Sequence, residues 1–243
     1  MVRMLNILFV ALATTLPAFG EENILFIGNS YTQGIKQTVT ELFKREGVHV
    51  HFDFIAPGGK NLTQHLNNPA ILDKLRSKDW SFIILQDQSQ TPALPGKYTK
   101  SFHMAVKGFS QFFSDLKPQP KMCLYMTWGR RDGDARNPNS FPDFPTMQKK
   151  LAENYEQAAR DNAALIAPVG LAFRAVYDLD ENLFRSLYAK DGSHPSKRGA
   201  YLAACVFMQV LADRDPTTIR WNNSLESRTA NQLKLAAKQA VNE

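Results

Sequence analysis

Short apolar runs alternate along the chain with stretches of mixed polarity. Residues 24–27 and 81–85 are nearly continuous apolar segments with polar residues on either side, a pattern typical of strands buried on both faces. Between such segments, apolar residues recur at helical spacing, as in residues 33–45 and 98–116. This alternation predicts an α/β fold whose mainly parallel sheet is covered by helices on both faces.

The same pattern continues to the end of the chain without a break. No Gly/Ser/Pro-rich linker and no internal repeat divides the sequence, so we expect a single domain over residues 21–243. Strands are predicted at residues 24–27, 48–55, 81–85, 121–128 and 163–169, and further helices at residues 147–162, from about residue 171, and at 196–211 and 225–241.

The first twenty residues have a different character. Arg3 precedes an apolar run over residues 4–13, and Ala18 and Gly20 offer small side chains at the −3 and −1 positions of a cleavage site. The run is too short to span a bilayer. Residues 1–20 are therefore predicted to be a signal peptide cleaved near Gly20, leaving a secreted or periplasmic protein without stable membrane insertion.

Charge argues against one class of partner. The 243 residues carry 29 Lys and Arg against 23 Asp and Glu, a formal net charge of +6. These cations are scattered among acids, without a long basic run or interleaved aromatic residues, so binding of nucleic acid is not expected. A modest preference for anionic surfaces or substrates stays open, and the sequence leaves the oligomeric state undetermined.

Cysteine and histidine give no sign of a metal centre. Cys123 lies in a predicted strand and Cys205 in a predicted helix, so both are expected to be buried apolar side chains, although export would permit a disulfide between them. His49 and His51 alternate along a predicted strand and lack a clustered third ligand. No metal and no cofactor is predicted.

Candidate chemistry begins where the first strand ends. Residues 24–27 are followed by Gly28-Asn29-Ser30 and then by a predicted helix. A serine in this position exposes its hydroxyl at the carboxyl edge of the sheet, where its own N–H can point toward a developing oxyanion. An isolated motif of this kind would more often be a helix cap.

A second motif near the other end of the chain favours catalysis. In Asp191-Gly192-Ser193-His194 a carboxylate and an imidazole lie three residues apart in a tight turn, close enough to interact. A serine hydroxyl needs such a base, and the base is most effective when a carboxylate fixes its tautomer. Ser30, His194 and Asp191 therefore form a candidate catalytic triad.

With these two motifs the chain resembles the SGNH hydrolases, the superfamily that includes the GDSL esterases and lipases. Their nucleophile motif, usually Gly-Asp-Ser, corresponds to Gly28-Asn29-Ser30, and their terminal Asp-x-x-His corresponds to Asp191–His194. The resemblance covers nearly all of the chain after the leader. It implies a flavodoxin-like, three-layer α/β/α sandwich with a five-stranded sheet.

The resemblance also implies donors to an oxyanion. Besides the Ser30 N–H, the superfamily places a glycine donor after its second strand, which corresponds to Gly59, with Gly58 as the alternative. Its third donor is an asparagine in Gly-x-Asn, but this chain has Gln86-Asp87-Gln88 there. Gln88 occupies the asparagine position, and Gln86 would replace it if the register shifts by two. The departure suggests a divergent branch of the superfamily.

Residues for holding a substrate come from the nucleophile motif and from the end of the fourth predicted strand. Trp128 and Arg130 begin a long polar loop that should overhang Ser30, and we take them, with Asn29, as candidate substrate-binding residues. An exposed loop without a binding role is an equally good interpretation.

The sequence thus predicts an exported serine esterase that hydrolyses short acyl esters, most readily acetyl esters. The loops around the site are polar rather than apolar, which favours a small-molecule or carbohydrate ester over a lipid. Two alternatives remain: a glycan-binding protein that keeps the fold without catalysis, and an acyltransferase that uses the same triad.

Overall fold

A computed structural model of the protein describes residues 22–242. The predicted signal peptide, residues 1–20 with its cleavage site near Gly20, lies outside the described residues. None of the helices within residues 22–242 has the length and hydropathy that crossing a membrane requires.

Five parallel strands form the central sheet: β1 (Glu22–Ile27), β2 (Val50–Ile55), β3 (Phe82–Leu85), β4 (Lys121–Tyr125) and β5 (Leu165–Ala167). Their order in the sheet is β2-β1-β3-β4-β5. The chain therefore builds outward from β1 to one side and then continues on its other side, so β1 lies at the switch point where such sheets bind ligands. Ile27 is paired in register with Ile55 and Leu85, so the first three strands end together at the carboxyl edge of the sheet.

Helices cover both faces of this sheet. They are α1 (Ser30–Arg45), α2 (Leu62–Leu66), α3 (Pro69–Arg76), α4 (Lys97–Ser114), α5 (Phe144–Asn162), α6 (Val169–Leu179), α7 (Glu181–Ser186), α8 (Lys197–Ala212) and α9 (Ser227–Asn242). One core cluster joins a sheet face to α1, α6, α8 and α9, and the other joins the opposite face to α2, α3, α4 and α5. The three-layer α/β/α sandwich with a five-stranded parallel sheet, predicted from the sequence, is confirmed.

Burial explains why the strands form where they do. Residues 24–27 of β1 and 82–85 of β3 lie between the two helical layers. Seven of these eight residues have no exposed surface, and the eighth, Phe82, is 6% exposed. Continuous apolar sequence suits a strand that is covered on both faces. The same layers bury Cys123 and Cys205 completely as free thiols, so the disulfide that the sequence allowed does not form.

The fourth strand is shorter than predicted. It ends at Tyr125, because the Met126 N–H bonds to Ala167 O while Met126 O accepts from the Gly170 N–H, which turns the chain out of the β3 ladder. Residues 126–128 therefore form the start of a loop. The short helices α2, α3 and α7 were not predicted.

Candidate active site

The end of β1 makes a tight turn that starts α1 at Ser30. Asn29 caps the helix, its side-chain oxygen accepting the Tyr31 N–H at 3.2 Å. A Cβ on Gly28 would collide with the side chains of Thr32 and Gln86, so only glycine fits. The turn leaves the Ser30 side chain half-buried at the carboxyl edge of the sheet.

The structure brings Ser30, His194 and Asp191 together across 164 residues of sequence. His194 Nε2 lies 2.9 Å from Ser30 Oγ, and His194 Nδ1 lies 2.5 Å from Asp191 Oδ2. With Nδ1–H donating to the carboxylate, Nε2 is free to accept the serine proton. This geometry can deprotonate Ser30 as it attacks an electrophilic carbon.

Asp191 is held in its ionised form. Partial burial alone would raise its pKa, but hydrogen bonds from His194 and from the N–H groups of Ser193 and His194 outweigh burial and lower the pKa to about 2. Gly192 completes the turn with a positive φ of 66°. The carboxylate can therefore stabilise an imidazolium at neutral pH.

A stack of three aromatic rings packs against His194. Tyr31, Trp128 and Phe173 stack with ring centroids 4.9 and 4.4 Å apart, and the Tyr31 ring meets His194 edge to face at 5.4 Å. The Trp128 Nε1–H donates to Ser193 O at 2.9 Å, and Tyr31 Oη lies 2.7 Å from Ser193 Oγ. Ser193 is thereby fixed between two aromatic residues.

Trp128 is therefore not the substrate-binding residue that the sequence suggested. Its side chain has no exposed surface, and its only polar atom is occupied by Ser193 O. The prediction was wrong because β4 ends early and the following residues fold back under the histidine turn. Trp128 positions this turn instead.

Asn29 and Gln86 also require correction. Asn29 is 2% exposed; its Nδ2 donates to Lys60 O at 2.9 Å while its oxygen caps α1, so neither end faces a substrate. Gln86 is completely buried: its Oε1 accepts from the Asn29 N–H and from Thr32 Oγ1, and its Nε2 donates to Asp87 O. Gln86 therefore braces the nucleophile turn and does not point an amide at an oxyanion.

The other oxyanion candidates lie in loops at the same edge of the sheet. Gly58 and Gly59 are exposed in the turn after β2, where Gly59 has a positive φ of 73°, and the Asn29–Lys60 hydrogen bond ties this turn to the nucleophile. Gln88 is half-buried after β3. Its Oε1 accepts the Gln90 N–H at 2.8 Å, and its Nε2 donates one proton to Gln90 Oε1 at 3.2 Å.

A buried carboxyl group joins these two loops. Asp87 Oδ1 accepts the N–H of Leu62, where α2 begins, at 3.2 Å and the N–H of Gln88 at 2.6 Å. Asp87 is 1% exposed, and this burial raises its pKa to about 7 despite both hydrogen bonds. The two loops are therefore connected by a carboxyl group whose pKa lies near neutral pH.

The chain is similar to known proteins in its three-dimensional structure. No family model matches the chain, and no curated protein matches it either. A candidate SGNH hydrolase from Slackia heliotrinireducens is 29% identical, with a TM-score of 0.66, and the match covers 79% of this chain and 100% of that one. The chain adopts the SGNH hydrolase fold.

Other solved structures agree with this SGNH assignment of the fold. A DUF4886 family protein from Bacteroides uniformis superposes with a TM-score of 0.77 at 18% identity, covering 91% of this chain and 95% of that one. An acetyl xylan esterase from Geobacillus stearothermophilus gives 0.55 at 17% identity, covering 78% and 94%. The structural neighbours thus include hydrolases of ester bonds.

In this SGNH-fold chain, the loop after β4 docks onto the histidine turn. The Arg131 N–H donates to Gly192 O at 2.9 Å, and Asp132 pairs with both Arg131 and Arg185. Arg130 remains a candidate substrate contact: its side chain is 21% exposed, and its Nε lies 3.7 Å from a carboxylate oxygen of Asp134.

Asp134 fixes this arginine. Burial alone would raise its pKa, but hydrogen bonds from Gln90 and Asn137 and the Arg136 N–H, with the nearby Arg130 charge, lower it, so the side chain stays a carboxylate without exposed surface. A charged pair with one buried partner is costly to break. Arg130 is therefore kept close to Asp134 in the loop that follows β4.

Several supporting residues were missed by sequence reasoning. Tyr31, His65 and Ser193 each bond to a residue of the nucleophile or histidine turn, with His65 Nε2 lying 2.8 Å from Gly28 O. Only Tyr31 gave a signal, as an aromatic residue directly after the candidate nucleophile. Within residues 22–242, no group of three or more His, Cys, Asp or Glu side chains is arranged to hold a metal ion.

Proposed function

We propose that the protein is a serine esterase that hydrolyses short acyl esters, acetyl esters foremost, carried by a carbohydrate. One observation carries this proposal: the hydrogen-bonded chain from Ser30 Oγ through His194 to Asp191, at the carboxyl edge of the central strand. In a fold whose solved examples include esterases, this arrangement supports acyl transfer through the serine.

The proposed reaction has two halves. Ser30 Oγ attacks the acyl carbon while His194 Nε2 takes its proton; the tetrahedral intermediate then collapses, and the alcohol leaves with that proton. Water next attacks the acyl group on Ser30, giving its proton to His194, and the carboxylic acid leaves as Ser30 recovers its hydrogen. Asp191 stabilises the imidazolium in both halves.

The oxyanion would be held by three donors. These are the N–H of Ser30 at the start of α1, the N–H of Gly59 and the remaining amide proton of Gln88. Support comes from the position of both loops beside the nucleophile turn and from their links through Asn29 and Asp87. Gly58 is the alternative donor in the same turn.

The substrate class rests on the polarity of the site. Arg130, Gln88 and the exposed Gly58 and Gly59 lie in the loops that follow β4, β3 and β2, and they suit a polar alcohol group better than an acyl chain of a lipid. An acetyl xylan esterase among the structural neighbours is consistent with this substrate class. We extend the proposal to location: the enzyme is exported and meets its substrate outside the cytoplasm.

The test compares purified wild type with Ser30→Ala on p-nitrophenyl acetate, butyrate and octanoate, and on an acetylated xylan by acetate release. We expect turnover that falls with chain length, and a loss of at least about 10,000-fold in Ser30→Ala. Ser101→Ala, a serine on α4 whose hydroxyl bonds to Tyr98 O, is the matched control and should retain full activity.

Two results would contradict the proposal. Activity that persists in Ser30→Ala would exclude the serine mechanism. A folded wild type that releases neither p-nitrophenol nor acetate would favour binding of glycans without catalysis, and faster transfer of acetyl groups to added sugars than to water would favour the acyltransferase.

A further inference from the structure

A groove of about 610 Å³ runs between α1 and the segment that precedes α9. The first turn of α8 forms its floor. Its lining is mostly polar, with one large aromatic ring: α1 contributes Gln37, Thr38 and Glu41, the start of α8 contributes Lys197, and Trp221 and Asn223 lie opposite.

The groove begins beside the triad. Gly34 lies one helical turn after Ser30, and it packs so closely on Pro195, the residue after His194, that a Cβ there would meet the proline ring. At 1.5 Å per residue, the groove-lining residues of α1 lie about 6 to 16 Å from Ser30 along the helix axis. The groove therefore starts about one helical turn from Ser30 along the same helix.

Trp221 is built into the wall as a fixed platform. Its N–H donates to Glu46 Oε1 at 2.8 Å, and its carbonyl accepts the Tyr201 hydroxyl at 2.8 Å. Glu46 is itself held by Arg214, 3.6 Å away, and the Tyr201 ring supports the indole edge to face at 6.2 Å. The backbone of Trp221 is thus fixed from both sides, and its half-buried ring packs against Tyr201.

The charges of the groove indicate a neutral ligand. Glu41 is paired with Arg45 at 2.5 Å, which leaves Lys197 as the one cation among the lining residues. Gln37, Thr38 and Asn223 add amide and hydroxyl groups that can both donate and accept hydrogen bonds. An acyl chain would leave these groups unsatisfied, and a phosphate would find a single lysine.

We propose that this groove is a subsite for neutral sugar units of the acylated substrate, with Trp221 stacking against the apolar face of one ring. The proposal rests on the proposed esterase function and names the part of the glycan that lies beyond the ester. It also supplies the aromatic contact that Trp128, being buried, does not provide.

The test is a comparison of two substrates in Trp221→Ala. p-Nitrophenyl acetate is too small to occupy the groove together with Ser30, whereas an acetylated xylo-oligosaccharide reaches both. We expect kcat/KM for the oligosaccharide to fall about tenfold, mainly through KM, since a stacked aromatic contact contributes of this order. Activity on p-nitrophenyl acetate should stay within about twofold, because the hydrogen bonds to residue 221 are made by its backbone.

Two further variants guard the interpretation. Gln37→Ala, on the opposite wall, should weaken the oligosaccharide reaction in the same selective way even if Trp221→Ala proves unstable. Tyr98→Ala removes an aromatic ring that is 44% exposed on α4, outside the groove, and should change neither reaction. Equal losses on both esters, or no loss on either, in Trp221→Ala and Gln37→Ala would overturn the subsite.

Direct binding separates failure of the subsite from failure of the esterase. Of the three tryptophans, Trp80 and Trp128 are buried, so sugar binding in the groove should alter the fluorescence of Trp221. We expect unacetylated xylotriose or cellotriose to change the emission of wild type but not of Trp221→Ala, whether or not any ester is hydrolysed. No change with any of these sugars would overturn the proposal.

Discussion

At the scale of single residues, the role of a polar side chain in the candidate site depends on whether its donor and acceptor atoms already have hydrogen-bond partners. Gln86 uses its oxygen on Asn29 and Thr32 and its nitrogen on Asp87, whereas His194 leaves Nε2 directed at Ser30. A polar residue whose groups are all engaged stabilises the local structure. A residue with one group directed into the open edge can take part in chemistry.

The state of Asp191 gives a prediction on pH. Asp191→Asn should lower kcat by on the order of a thousandfold or more, because the amide no longer stabilises the imidazolium. Since the pKa of Asp191 is lowered to about 2 from 3.8, its contribution to the folded state is present above pH 4 and is lost only as the pH falls through about 2. The acid limb of the activity profile above pH 4 should therefore not come from Asp191.

Steady-state kinetics between pH 4 and 9 measure both effects. Asp132→Asn is a matched control, since Asp132 is an exposed aspartate beside the same turn that pairs with Arg131 and Arg185. It should change kcat by no more than a few-fold. A comparable loss of kcat in both variants would show that the negative charge of this region is what matters, rather than the hydrogen bond between Asp191 and His194.

The residues that the sequence identified correctly share a local signature. Asp191 and His194 lie in one turn, so their proximity follows from spacing alone, and Ser30 follows an apolar strand and a glycine. Trp128, Asn29 and Gln86 were given wrong roles because sequence shows where a residue stands along an element but not which neighbours cover it. Their burial depends on α5, α6 and the loop at residues 58–60, all distant in sequence.

At the scale of elements, Asp87 connects the turn after β3 to the start of α2. Gln88, a proposed oxyanion donor, lies in the turn after β3. The turn that carries Gly59, another proposed donor, leads directly into α2. A buried carboxyl with a raised pKa makes this connection sensitive to pH, since its neutral form is favoured by burial and its ionised form by the two N–H groups.

Asp87→Asn should flatten the dependence of stability on pH. The folded pKa is raised from 3.8 to about 7, so the unfolded state ionises first, and the contribution of Asp87 to stability is present below pH 4 and lost as the pH rises to about 7. The loss amounts to about 1.4 kcal/mol for each pH unit at most. Asparagine stays neutral but can still accept both N–H bonds.

Urea unfolding of both proteins at pH 4.5, 5.5, 6.5 and 7.5 tests this. The difference in unfolding free energy between Asp87→Asn and wild type should shift in favour of the variant as the pH rises, because other titrating groups cancel in the comparison. If the unfolding free energies of the two proteins ran parallel across this pH range, Asp87 would be ionised at every pH tested, because its two hydrogen bonds would outweigh its burial.

Strands and helices could be predicted where burial of one or both faces leaves a regular apolar pattern in the sequence. β1 and β3 are almost purely apolar, and α4 has a clear apolar stripe of phenylalanines. α2 and α7 have five and six residues, too few for a helical period to show, and both are started by capping side chains, Asn61 and Asp180. The end of β4 was misplaced because backbone hydrogen bonds to β5 and α6, not side-chain pattern, decide it.

At the scale of the whole molecule, both cysteines are buried in one of the two core clusters. Cys123 lies in β4 and Cys205 in α8, and both belong to the cluster that joins the sheet to α1 and α9. Burial raises the pKa of each thiol to about 12, so a reagent can reach a thiolate only after this layer separates.

Thiol labelling should therefore follow global unfolding. With Ellman's reagent at pH 8, both cysteines of the native protein should react at least about a thousandfold more slowly than a free thiol, as expected for groups exposed only by unfolding. In urea, the two should become reactive in one transition that coincides with the loss of circular dichroism. Cys205→Ala and Cys123→Ala report the sites separately, and rapid labelling of either one below the transition would show local opening.

The Ser30–His194 pair also has a consequence for biosynthesis. The nucleophile turn leaves the ribosome early, but it has no base until α8 has emerged and packed against α1. Under the proposed mechanism, a nascent or truncated chain that contains Ser30 without His194 would lack the base for acyl transfer. The first turnover of each molecule would then report that segments from both ends of the chain have packed together.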